Sequence, residues 1–204
     1  GQVAIATTPG KVRRVRLLPA DPPATRQAID AINSADLVIL GPGSWFTSVI
    51  PHVLVPGLAA ALRTTKARRA LVLNLVAEPG ETAGFSVERH LHVLAQHAPG
   101  LTVHDVIIDG SRVPSDRERD QVRRTATLLR SQVHFVDVAR PGTPLHDPGK
   151  LAEALKGVAM RDIAAVAAQP AEGVTEEIAL EGGSYRASAD GFGTQRLKGD
   201  GPWR

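Results

Sequence analysis

Two hydrophobic patterns alternate along the chain. Short runs dominated by apolar residues, the pattern of buried strands, are separated by stretches in which apolar residues recur every three or four positions, the period of an amphipathic helix. Residues 36–40, 70–75, 103–108 and 133–138 form the strand-like runs. Residues 22–34 (opened by Pro22 and Pro23), 52–64, 86–98, 115–129 and 148–168 form the helical stretches. In 86–98, for example, Val87, Leu91, Leu94 and Ala98 share one face. Strands alternating with helices predict an α/β fold, a mainly parallel sheet with right-handed crossovers. Ahead of this series, residues 3–7 and 11–18 flank a Pro9-Gly10 pair and predict a β-hairpin. The pattern stops after Gln169. Residues 170–204 hold seven of the 19 glycines, many charges and no amphipathic period, so a domain over 1–168 and a flexible tail over 169–204 are expected. The chain opens at Gly1, directly in strand-like sequence, and a fragment of a longer protein is expected.

Composition narrows the chemistry. There is no Cys, which excludes disulfides, thiol catalysis and Cys-based zinc sites. The formal net charge is only +3, and the 19 Arg are scattered apart from Arg13, Arg14 and Arg16, unlike the one-sided basic face of a nucleic-acid binder. No apolar run approaches the length of a membrane span and no signal peptide opens the chain, so a cytoplasmic location is expected. The histidines show no His-x-x-x-His pair, and no metal site is predicted.

Ligands of parallel sheets bind at the loops leaving the carboxyl ends of the strands. The first such loop reads Gly41-Pro42-Gly43-Ser44-Trp45-Phe46-Thr47-Ser48. Two glycines permit close backbone approach, Ser44 suits a helix N-cap, and exposed amides with the Thr47 and Ser48 hydroxyls suit phosphate oxygens. A plain strand-to-helix turn needs the same glycines. The second loop spans residues 74–85. Asn74, Glu78 and Glu81 offer acceptors for sugar hydroxyls or water-held Mg²⁺, and Gly80 and Gly84 permit special backbone angles, although a solvated acidic loop has the same composition. Trp45, Phe46 and Phe85 flank the two loops, placed either to stack a nucleobase or to fill core. His90 sits near the start of the following helix, as a ligand contact or a core histidine.

Taken together, residues 41–51 (Gly-Pro-Gly-Ser-x-Phe-Thr-Ser-Val-Ile-Pro), residues 54–57 (Leu-Val-Pro-Gly), the Asn74…Gly80-Glu81-Thr82 signature and His90-Leu91 resemble the YvcK-type gluconeogenesis factors, which are relatives of 2-phospho-L-lactate transferase. The resemblance implies a Rossmann-like three-layer fold. It also implies a nucleotide-sugar ligand, UDP-N-acetylglucosamine, bound by Gly41, Pro42, Gly43, Ser44, Phe46, Thr47, Ser48, Asn74, Glu78, Gly80, Glu81, Thr82 and His90. The implied role is regulatory, in peptidoglycan synthesis and cell shape, with no catalytic residue, no resident cofactor and a homo-oligomeric state. A Ser/Thr protein kinase is an implied partner, which makes Thr175, Ser184, Ser188 and Thr194 candidate phosphorylation sites. A phospholactate-transferase-like enzyme is the alternative, and only there is Mg²⁺ expected. Ala77, Glu78 and Ala83 depart from the family pattern, and a glycine-rich motif that would complete the site is absent from these 204 residues.

Overall fold

The structure, a computed structural model, describes Val12 and residues 14–160. Four strands form one parallel sheet in sequential order: β1 (Leu37–Leu40), β2 (Arg68–Val72), β3 (Asp105–Asp109) and β4 (Gln132–Val136). Helix α1 (Arg26–Ser34) precedes the sheet, its first turn capped by the Thr25 hydroxyl. Between β1 and β2 a π-helical turn (Trp45–Val49) runs into α2 (Ile50–Leu54) and then α3 (Pro56–Thr64). Helices α4 (Val87–His97) and α5 (Asp116–Ala126) make the next two crossovers, and α6 (Pro148–Ala159) follows β4.

The pleat sorts the strand residues between two layers. Leu71, Val106 and Ile108 point into the larger core, where they meet Trp45, Phe46, Ile50, Leu62, Leu91, Leu94 and Val122 from the crossover helices. Ala70, Val72 and Ile107 point the other way, under Val158, Leu151 and Leu155 of α6. Helices on both faces of a parallel sheet give the expected three-layer α/β fold. Every residue of β2 and β3 is buried, including the charged ones, Arg68 and Arg69 in β2 and Asp105 and Asp109 at the ends of β3.

Several expectations shift. The helix expected from residue 52 begins at Trp45 as a π-helical turn, and Pro56, whose ring cannot continue the preceding helix, restarts it as α3. The helix expected over 115–129 ends at Ala126 and tightens into a 3₁₀ turn (Thr127–Leu129) before Arg130 at φ 55°. Of the hairpin, Val12 and residues 14–17 belong to no strand, and the other arm lies outside the described residues. Residues 161–168 of the last predicted helix, the tail and its four candidate phosphorylation sites also lie outside them. Among the described residues no single helix is long and apolar enough to cross a membrane.

The amino ends of the strands carry a buried ion pair. Arg68 is 4% exposed and donates from Nε to Asp105 Oδ2 at 2.7 Å and from a terminal nitrogen to Oδ1 at 3.2 Å. His134 Nε2 approaches the same Oδ1 at 2.8 Å. Burial by itself pushes the Asp105 carboxyl up, but the hydrogen bonds from His134 and Arg68 outweigh it and hold the group below its ordinary value. A carboxyl depressed in the folded state contributes its full stability above its unfolded value, near pH 4, and loses it as pH falls through the folded value. Asp105→Asn leaves Arg68 buried without its counter-charge and should cost roughly 3–5 kcal/mol in a urea titration at neutral pH. That loss should shrink on acidification, since the wild type then surrenders the same contribution.

Candidate ligand-binding site

The first loop leaves β1 through two glycines with different reasons for being glycine. Gly41 has φ +70°, and a Cβ there would meet the Val72 carbonyl oxygen at 2.7 Å, so packing against β2 demands glycine. At Gly43 the backbone is not left-handed, and an added Cβ would meet only Ser48 Cβ at 3.6 Å, ordinary contact. The fold has room for a side chain at Gly43, and this stretch of backbone is open to close approach from outside.

The second loop grips the first. Gly43 N–H donates to Asn74 Oδ1 at 2.9 Å, and Asn74 Nδ2 donates back to the Gly43 carbonyl at 3.0 Å, a two-way clasp. Glu78 accepts from the Ser44 hydroxyl at 3.1 Å and from Trp45 N–H at 3.2 Å. Glu81, 4% exposed, accepts from Phe46 N–H at 2.9 Å and the Thr47 hydroxyl at 2.8 Å. The first N–H groups of any helix lack partners within it, and negative charge is favoured beside them. Here the two carboxylates satisfy Trp45 and Phe46. Thr82 braces the loop by accepting from Glu78 N–H at 2.9 Å, and Gly80 makes the turn at φ +83°.

This geometry corrects the phosphate reading of the first loop. The amides of Gly43, Trp45 and Phe46 and the Thr47 hydroxyl are occupied by side chains of the second loop, and Ser44 bonds to Glu78 rather than capping the turn. The Ser48 hydroxyl makes no hydrogen bond to the described residues and lines a cavity of about 350 Å³ with Gly41, Pro42 and His52, walled by Ile39 and Leu58. A larger cleft, of about 890 Å³, lies by residues 14–18 and the last turn of α4, where the chain has returned to the amino end of the sheet.

The aromatic residues stand behind the loops. Trp45, Phe46 and Phe85 are 2%, 1% and 6% exposed, so in this structure they pack the core and offer no stacking face to a base. His90 lies edge-on to Trp45 at 5.0 Å and to Phe85 at 5.3 Å, and its Nδ1–H donates to the Ser86 carbonyl at 2.8 Å. Burial pushes the His90 imidazole below its ordinary value; the Ser86 bond opposes this, while Arg112 and Arg89 add to it. In this structure it is a buried core histidine that packs behind the loops.

Two residues that the sequence reading passed over complete the rim. Arg112 donates to the Asn74 carbonyl, tying the loop after β3 to the clasp. Asp109, the last residue of β3, accepts from Ser111 N–H and hydroxyl and from the Val138 and Ala139 amides, stitching β3 to the end of β4. Its position at the carboxyl end of a predicted strand was the available signal.

Glu81→Gln retains the side chain's shape but turns an amide donor toward an existing donor inside a buried site. It should lower stability by about 1–3 kcal/mol, whereas the half-buried Glu78→Gln should lower it by less. Chemical denaturation of both variants checks the order.

The comparisons with known proteins agree with this architecture. Residues 1–141 match the family described as "2-phospho-L-lactate transferase CofD". Over all 204 residues the chain is 74% identical to a Mycobacterium tuberculosis protein and 70% identical to a Mycobacterium leprae protein, each named "Putative gluconeogenesis factor". It spans 56% of the length of each, about half of these curated relatives. The crystal structure of a upf0052-family protein from Bacillus halodurans superposes with a TM-score of 0.65 at 28% identity, over 76% of this chain and 54% of that one. A sequential parallel sheet carrying the clasped Gly41–Ser48 loop, together with these matches, places the chain in the CofD family.

Proposed function

We propose that this chain is part of a cytoplasmic regulatory protein that binds a uridine-diphosphate sugar, UDP-N-acetylglucosamine, and supports peptidoglycan synthesis and cell shape. The observation that carries the reading is the Gly43 segment, held from behind by Asn74 and bare on its other side, at the carboxyl end of a parallel strand where such sheets receive ligands. With the nearby amides occupied, the ligand meets the Gly43 backbone surface and the Ser48 hydroxyl, and its apolar portion uses the adjoining cavity beside Pro42 and His52. Because the clasp holds the loop in place without ligand, binding has little ordering entropy to offset. The gluconeogenesis-factor names of the relatives support a regulatory role.

The family's description names a transferase, and the second reading is transfer of a phospho-organyl group, for which we would expect Mg²⁺. On that reading Glu78 and Glu81, each already accepting two hydrogen bonds from the first loop, would hold a metal through their remaining lone pairs. Product formation from a nucleotide-linked donor with Mg²⁺ would decide for the enzyme.

Gly43→Val places a branched side chain on the open backbone, its Cβ at ordinary contact distance from Ser48. UDP-N-acetylglucosamine affinity should fall by roughly tenfold or more in calorimetry, a loss of at least about 1.4 kcal/mol, while the thermal midpoint is held. Unchanged affinity removes the first loop from the site.

A further inference from the structure

A second cleft opens on the same rim, at the carboxyl ends of β3 and β4. It measures about 620 Å³ and shares no lining residue with the cavity beside Gly43. Its polar lining is Asp109, Ser111, Asp137, Arg140, Thr143 and Lys150.

The walls are prebuilt. Asp109 is 4% exposed and receives four hydrogen bonds that join the loop after β3 to residues 138 and 139. Those bonds hold its carboxyl below its ordinary value against the upward push of burial, and they spread its negative charge over the wall. The 140–145 turn is closed by an antiparallel bridge between Ala139 and His146, by Arg140 N–H to the Leu145 carbonyl at 2.9 Å, and by the Thr143 hydroxyl to the Arg140 carbonyl at 3.0 Å. Lys150, in the first turn of α6, is steered into the cleft by Asp137 at 2.6 Å and the Ala139 carbonyl at 3.1 Å, which leaves its third ammonium proton unassigned. The Arg140 guanidinium makes no hydrogen bond to the described residues and lines the same cleft.

We propose that this cleft binds the phosphate group of a small hydroxylated phosphomonoester. The Arg140 fork takes two phosphate oxygens, the remaining Lys150 proton takes a third, and the outer oxygen of Asp137 accepts from a neighbouring hydroxyl of the ligand. Asp137 offsets part of the Lys150 charge and Asp147 attracts both cations, so the phosphate is selected by directed hydrogen bonds from Arg140 and Lys150 rather than by an excess of positive charge. The assignment is independent of the nucleotide-sugar reading.

The test is calorimetric titration of the whole chain with sn-glycerol 3-phosphate, and with glycerol as the uncharged counterpart. Glycerol 3-phosphate should bind and glycerol should not. Arg140→Met keeps the apolar stem and removes the fork, so binding should weaken by about tenfold or more. The thermal midpoint should change little, because the Arg140 guanidinium makes no hydrogen bond to the described residues and its attraction to Asp147 is screened by solvent. Gly43→Val should leave glycerol 3-phosphate binding intact even where it abolishes nucleotide-sugar binding, which separates the two sites. The proposal is overturned if glycerol 3-phosphate fails to bind, if Arg140→Met binds it like the wild type, or if Gly43→Val alone removes the binding.

Discussion

Two carboxylates from one loop neutralise the amino end of the helical turn in another, and the architecture of the rim depends on that contact. Strand β1 ends in a loop that must turn sharply and then begin a helical turn, leaving N–H groups with no partner of their own. Loops leaving the sheet at this depth have little water to satisfy such groups, and a buried unpaired donor costs on the order of 1–3 kcal/mol. Glu78 and Glu81 reach across from the end of β2 and take them, while Asn74 holds the Gly43 peptide by both its N–H and its carbonyl. Loop position is thereby fixed by adjacent strands of one rigid sheet. What remains for a ligand is the outer surface of the loop, because its inward-facing donors are already taken.

The same economy governs the other charged groups of the sheet. Asp105 at the amino end and Asp109 at the carboxyl end of β3 are both buried and both fully engaged, one by Arg68 and His134, the other by four donors from neighbouring loops. The two sit at opposite ends of one strand whose interior, Val106 to Ile108, is wholly apolar. In β3 the charge sits at the two strand ends, where partners from adjacent connections can reach it. At the amino end the pairing closes on itself and serves stability. At the carboxyl end it stitches loops together and leaves Arg140 and Lys150 facing a cleft.

Much of this was legible in the sequence because burial writes itself as composition. Four apolar runs became four strands, and the helical stretches between them became the crossovers. From that alternation it followed that the loops after residues 40 and 73 would be neighbours, as the Asn74–Gly43 clasp demonstrates. The partners of individual polar groups were not legible. Glu78 and Glu81 have the same composition whether they bind sugar hydroxyls, a metal or backbone amides, and only the tertiary approach of the two loops selects the amides. Arg68 and Arg69 precede the apolar run expected at 70–75, yet both are buried strand residues. Arg68 is carried by Asp105, and Arg69 by the carbonyls of Thr102, Thr65 and Ala67. Trp45, Phe46, Val49 and Ile50 recur at the four-residue spacing of a helical face, but the glycines and Ser44 ahead of them make the segment read as a loop. His90 could be read as a ligand or as core until its two aromatic neighbours were in place.

The central claim is that the outer surface of the clasped first loop receives the nucleotide sugar. Amide chemical-shift mapping of the ¹⁵N-labelled chain titrated with UDP-N-acetylglucosamine tests it most directly. Saturable shifts should concentrate at Gly43, Ser44, Thr47 and Ser48, with His52 and neighbours of the adjoining cavity following, while Arg68, Asp105 and His134 at the far end of the sheet stay still. Shifts absent from residues 41–52, or confined to other parts of the chain, would contradict it.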